Sequence, residues 1–343
     1  MMQAPEPDPT LGHVLPRRYA LFEDTRCCDP QWHYRIGLPR GAGIAPGPSS
    51  SPMVKRGVVL GAFRLGRPST EVSVVGLALK HEVDPADVLA TCLSVEEIVG
   101  AQRLPTPGGA AGDVLCRSKR EGGTFLSRHF ACKFGSRLFV VSCRAKEEHY
   151  EDVAESFSVA VSRFSPVQAS GLFAEGMHEV TFQKPEAWSV AIPASWHLEL
   201  EPPTNQVASL QAEQSPARPH EHPELLAGKL SLAVVSRRSP RTAAELAGAF
   251  LSALRERAIL VDNAIFEPAA PPGSFLQAWS LVSPASRLGA PGEVRGRVLL
   301  GPSHWVVAGV VGPRREVGAE AWMRNKRALE VALSTLLFRG DQP

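Results

Sequence analysis

The sequence lacks a dominant charge. Lys and Arg total 37 against 35 Asp and Glu, a formal +2 over 343 residues. A nucleic-acid binder needs a clustered basic face to neutralise phosphates, so that class is excluded. The basic runs Arg314-Arg315 and "MRNKRALE" (Met323–Glu330) lie beside helical patterns and read as solvated helix faces. No uninterrupted apolar run approaches the roughly 18 residues of a membrane-spanning helix, which predicts no stable membrane insertion. The first residues, "MMQAPEPDPTLGHVLPRR", carry prolines and acids where a secretory leader has basic residues and then an apolar run, so the expected location is the cytoplasm. The second half has no cysteine at all. Cys27, Cys28, Cys92, Cys116, Cys132 and Cys143 all fall in the first half, which argues against a disulfide framework and for reduced thiols.

The short motifs of catalysis are missing as well. There is no G-x-S-x-G elbow, no P-loop, and no G-x-G-x-x-G run after a strand. Cys27-Cys28 with His33 lack the second ligand pair that zinc sites use. "HEH" (His220–His222) sits in a Pro-rich excursion and reads as solvated loop. Glu96-Glu97 and Glu147-Glu148 read as surface acids at a helix end and a helix start. Cys92, Cys132 and Cys143 fall on apolar faces and read as small core residues. The expectation is no catalytic residue, no metal and no cofactor. A thiol-dependent enzyme using Cys27 and Cys28, or a structural subunit of an assembly, is the alternative.

What is present is one series of elements written twice. A chain of 343 residues suits two domains, each able to bury a core. Each half opens on an alternating strand ending in proline: "YRIGLP" (Tyr34, Ile36, Leu38) and "WSVAIP" (Trp188, Val190, Ile192). A strand apolar on both faces follows, "VSVVGLAL" from Val72 and "KLSLAVVS" from Lys229. Next comes a helix, capped by Asp84 with Pro85 at its first position, or by Thr242. The two helices align without a gap from Asp84/Thr242 to Ser94/Ser252. Three-strand meanders come next, with turns at Gly122-Gly123 and Gly135-Ser136, and near Gly289–Gly292 and Gly301-Pro302. Closing helices carry Tyr150, Val153, Phe157, Val161 and Phe164, and Trp322, Leu329, Leu333 and Leu336, at helical spacing. The predicted fold is α+β: two tandem units, each a twisted antiparallel sheet with a long carboxy-terminal helix and a shorter one. The units span 17–166 and 177–340, after a disordered 1–16 and around a joint at 167–176. "GAGIAPGPSSSP" and "EPPTNQVASLQAEQSPARPHEHPE" read as loop excursions.

The "Tyr/Trp–x–Ile/Val–x–Leu/Ile–Pro" strand, and a final "Phe/Trp-Val-Val" strand running into an amphipathic helix ending near Phe164 or Phe338, resemble the PsbP-like and DcrB-like fold. Within that group the chain resembles the Eag-type chaperones of type VI secretion. The resemblance implies a cytoplasmic, non-enzymatic adaptor or chaperone whose sheet face binds an apolar segment of a secreted effector. Those chaperones work as dimers, so two fused units imply a monomer acting as a pseudo-dimer. In the strands "RLFVVSC" and "HWVVAGVV", Phe139, Val141 and Cys143 share one face, as do Trp305, Val307 and Gly309, and Phe139 is aligned with Trp305 as Tyr34 is with Trp188. One face receives the closing helix. The other is covered by the short helix or by the other unit, or stands open to a partner. The partner-binding candidates are Val74, Phe139, Val141, Leu232, Trp305 and Val307.

Overall fold

The computed structural model describes residues 17–46, 56–66, 69–94, 96–106, 109–168, 171–214, 227–238 and 240–339. The expected disordered amino terminus, the second half of the first Pro-Ser loop (47–52) and His220–His222 lie outside them. The fold is α+β, with antiparallel sheets throughout. The chain divides into two compact units, Met1–Lys80 with Asp84–Ala174, and His81–Val83 with Glu175–Pro343.

The first unit runs β1 (Tyr19–Asp24), β2 (Tyr34–Pro39), β3 (Gly43–Ile44), β4 (Val58–Arg64), β5 (Glu71–Ala78), α1 (Pro85–Cys92), β6 (Glu97–Thr106), β7 (Gly109–Arg120), β8 (Gly123–Phe134), β9 (Arg137–Lys146), α2 (Tyr150–Ser162) and β10 (Ser165–Pro166). Its main sheet has the order β3-β4-β5-β9-β8-β7-β6, and a small sheet has the order β1-β2-β10. The β8–β9 hairpin turns on two residues, Gly135 and Ser136, with Phe134 opposite Arg137. Gly135 adopts φ +58°, a conformation that a tight hairpin requires and a side chain resists. Helix α2 closes one sheet face, burying Phe139, Val141, Cys143, Val72 and Val74 against Val153, Phe157, Ala160 and Val161. Helix α1 lies across β7 and β8 on the other face. It starts where the sequence said it would: Asp84 accepts a hydrogen bond from the Ala86 amide, with Pro85 in the first turn.

The second unit runs β11 (Met177–Phe182), β12 (Trp188–Pro193), β13 (Trp196–Leu200), β14 (Val207–Gln214), β15 (Lys229–Ser236), α3 (Ala243–Glu256), β16 (Leu260–Val261), β17 (Ile265–Ala269), β18 (Gln277–Arg287), β19 (Ala290–Leu300), β20 (His304–Pro313), α4 (Ala319–Ser334) and β21 (Leu337–Phe338). Its main sheet has the order β13-β14-β15-β20-β19-β18-β16, with β17 also on β18, and a small sheet has the order β11-β12-β21. Helix α4 packs Ala328, Leu329 and Ala332 against Leu232, Val306 and Ala308. Helix α3 packs on the opposite face, with Ala243, Leu246 and Ala247 against Trp305 and Val307. Thr242 caps it in a reciprocal box with Glu245.

Several expectations are corrected here. The excursion after Leu200 contains β14, whose Ala208, Leu210 and Ala212 are buried in alternation. Small alanines made that alternation faint in the sequence. Phe139 and Trp305 do not match: Phe139 faces the closing helix, whereas Trp305 faces α3. The β19–β20 connection has four residues between the paired Leu300 and Trp305, against two in the first unit. Aligning the glycines of unequal loops slips the register by one, which sends a side chain to the other face. Tyr34 and Trp188 do hold like positions, each pairing with the last residue of the preceding strand, Asp24 or Phe182, and with Pro166 or Phe338. The helices also differ, α1 having 8 residues and α3 having 14. After the Leu-Ser that both share, the first sequence turns to Val, Glu, Glu, Ile and Val, with three β-branched residues in five, whereas the second continues with the strong helix formers Ala, Leu, Arg and Glu.

The run "MRNKRALE" is not a solvated face. Arg324, Asn325 and Arg327 are buried on α4. The Asn325 amide donates to the Ala227 carbonyl at 3.1 Å, and Arg327 lies 3.5 Å from Glu330. Trp322, expected on the apolar stripe, is instead half-buried among Arg295, Arg315 and Lys326, its indole N–H donating to Glu293.

Candidate functional site

All six residues expected to bind a partner are interior. Val74, Phe139 and Val141 have no exposed surface and lie under α2, Leu232 lies under α4, and Trp305 and Val307 lie under α3. A helix therefore covers the sheet face at each of these positions, and a partner would have to displace it to reach them. Cys27, Cys28 and His33 do not form a thiol–imidazole pair either, because His33 Nε2 lies 2.8 Å from the Cys27 carbonyl oxygen.

Two other features stand out, and they adjoin each other. The first is β6. It forms the edge of the first unit's main sheet and pairs only with β7 among the described residues. It is 10 residues long, whereas the other edges of the two main sheets, β3, β13, β16 and β17, have 2, 5, 2 and 5. Ile98 and Val99 stand 47% and 46% exposed. A register shift between Ile98 and Gly100 bulges Val99, after which the strand pairs regularly to Thr106. Arg103 fixes the strand to α1 by pairing with the buried Asp84 and Asp87.

The second feature is a polar cluster on the α1 face, at the root of β6. Because α1 stops at Cys92, it leaves the far end of this face to polar side chains. Glu96, Cys116 and His129 each bring a ligating atom to within 4.8 Å of the others. Strand register explains the meeting. Cys116 pairs with Ser127 and Val114 with His129, so Cys116 and His129 are diagonal neighbours on one face. Glu96 immediately precedes Glu97, which pairs with Arg117. On the far side, Ser142 Oγ lies 2.9 Å from His129 Nδ1. His129 Nε2 and Glu96 Oε2 are buried without a hydrogen-bond partner among the described residues. Arg120 lies 3.7 Å from Glu96, and Arg144 pairs with Glu71 at 2.9 Å.

Burial sets the electrostatics. It holds His129 down at about 4, helped by the Arg120 and Arg144 guanidiniums, so the ring is neutral. Burial, with the Glu96 charge, pushes the Cys116 thiol up to about 12. Burial raises Glu96 as well, against the pull of Arg120 and Arg144. In the second unit, the face under α3 is apolar instead: Leu254, Ile259, Val261, Leu281, Ala285, Val294 and Val311 pack as one cluster. Sequence reading took Glu96 for a surface acid and did not single out His129, because the three residues come from separate strands with no motif spacing.

No family model matches the sequence, and no curated protein does. Among solved structures, a cyanobacterial PsbP from Synechocystis sp. PCC 6803 is 16% identical over 45% of this chain and 96% of its own, with a TM-score of 0.32. LpqN, involved in cell envelope biogenesis of Mycobacterium tuberculosis, is 14% identical over 43% and 90%, at 0.31. The apo immunity protein TplEi of the T6SS from Pseudomonas aeruginosa is 13% identical over 90% and 95%, at 0.26.

Proposed function

We propose that the chain is a non-enzymatic binding protein, an adaptor or chaperone that takes an extended apolar segment of a partner protein along β6. The supporting observation is the edge itself: long, apolar at its start, and paired on one side only. Proteins normally blunt such edges by shortening, charge or proline, since an unpaired row of N–H and C=O groups is a template for another strand. The second unit does so by length, β17 having 5 residues, whereas β6 runs to 10 and carries its one proline, Pro105, only next to its end. An added strand gains main-chain hydrogen bonds from the edge and apolar contact from Ile98, Val99 and Leu104.

In this reading the two units descend from one by duplication, and the chain works as a monomer in place of a dimer of single units. A secreted effector, shielded in the cytoplasm before export, is the partner the sequence resemblance implies. No helix of the described residues is long and apolar enough to cross a membrane.

A photocrosslinking residue placed at Gln102, which is exposed on β6, tests the reading in the producing cell. The expected result is a crosslink from Gln102 to an apolar segment of one protein, absent from a control placed at Ile265 on β17. Equal crosslinking at both positions, or none at Gln102, would contradict it.

A further inference from the structure

We infer that Glu96, Cys116 and His129 form a zinc(II) site at the root of β6. The donor set is imidazole, thiolate and carboxylate, which suits a borderline-soft divalent ion. Three protein ligands leave a fourth position for water or an incoming group.

Geometry carries the assignment. The ligating atoms are already within 4.8 Å of one another, and closure onto metal bonds of roughly 2.0–2.3 Å requires only side-chain adjustment. Ser142 engages Nδ1 from β9, leaving Nε2 for the β7 side, where Cys116 and Glu96 stand. A ligating histidine is ordinarily held in this way through its other nitrogen. His129 is 4% exposed, and its buried Nε2 and the Glu96 Oε2 have no hydrogen-bond partner among the described residues. Buried polar atoms of this kind cost free energy unless something satisfies them. A purely structural use of the region would be an apolar core, which is what the second unit has under α3.

Binding breaks the Cys116 S–H bond and forms Zn–S, with the proton leaving to solvent, and nothing is oxidised or reduced. The thiolate and the Glu96 carboxylate balance the ion's two charges. Among the described residues Arg120 and Arg144 also act on the cluster, Arg120 beside Glu96 and Arg144 held by Glu71. Because Glu96 directly precedes β6, the ion ties the beginning of the edge strand to β7 and β8.

The test uses the full chain carrying C27S and C28S, which removes the non-buried thiols. It is treated with chelator and titrated with Co²⁺ alone. The expected result is one equivalent bound with a thiolate-to-cobalt charge-transfer band, bleached by Zn²⁺. Cys116→Ser removes the band. Ser142→Ala keeps it but weakens binding by about 10–100-fold, the usual cost of losing a partner that orients a ligand. Urea unfolding in chelator checks that each variant folds. If Cys116→Ser does not fold, the parent spectrum and Ser142→Ala decide. A folded parent without the band overturns the site, as does a band that survives Cys116→Ser or an affinity unmoved by Ser142→Ala.

Discussion

Ser142 and His129 face each other across β9 and β8, with the Ser142 hydroxyl 2.9 Å from the imidazole Nδ1 on a sheet face where the ring is almost wholly buried. The folded chain refuses a proton that the unfolded chain accepts, since burial and two guanidiniums hold His129 at about 4 against an ordinary 6.5. Stability from this group is therefore complete above pH ~6.5 and declines as pH falls toward 4. In chelator, we expect about 2 kcal/mol to be lost between pH 7 and pH 5 through His129. His129→Gln should flatten that part of a urea-unfolding pH profile, and a variant with the parent's slope would contradict the assignment.

Core and edge are separable by mutation. Phe139→Ala opens a cavity under α2 and should cost about 3–5 kcal/mol. Ile98→Lys with Val99→Lys alters exposed positions and should change stability by no more than about 0.5 kcal/mol. If β6 is the docking edge, the lysine pair abolishes partner capture while the urea midpoint stays in place. Lost stability in the lysine variant would mean that β6 belongs to the core.

Gly112 lets α1 approach the sheet. A Cβ there would sit 2.8 Å from the Ala86 Cα and 3.3 Å from a Leu89 methyl. The first of these is backbone and cannot swing aside. Gly112→Ala should therefore destabilise by about 1–3 kcal/mol. Gly100→Ala on β6 meets nothing within 4 Å and serves as the control. Equal unfolding midpoints for the two variants would refute the close approach.

Cys27→Ser with Cys28→Ser should leave stability and partner capture unchanged, because His33 engages the Cys27 carbonyl and not a thiol. Loss of a measurable activity in that variant would favour the thiol-enzyme alternative.

How much of this was legible follows the range of the interactions. Asp84-Pro85 and Thr242–Glu245 are local signals, and both helices begin there. The Gly135-Ser136 turn is equally local and was read correctly, whereas the hairpin before it turns one residue earlier than read, on Glu121-Gly122, with Gly123 already paired to Arg120. Strand β6 was missed because an exposed edge shows no alternation of buried and solvated residues, being exposed at every position but Leu104. The polar side chains of α4 were misread because such groups can enter a core when partners receive them, as the Ala227 carbonyl receives Asn325 and Glu330 receives Arg327. Glu96, Cys116 and His129 meet only through strand pairing, which no spacing along the chain announces.

Amide hydrogen exchange along β6 tests the docking edge most directly. In the chain alone, the amides of Gly100–Leu104 that face away from β7 should exchange rapidly, since no described residue pairs with them there. With the crosslink-identified partner segment bound, the same amides should become protected while those of β17 stay unchanged. Protection of the outward β6 amides before any partner is added, or no change on binding, would contradict the account.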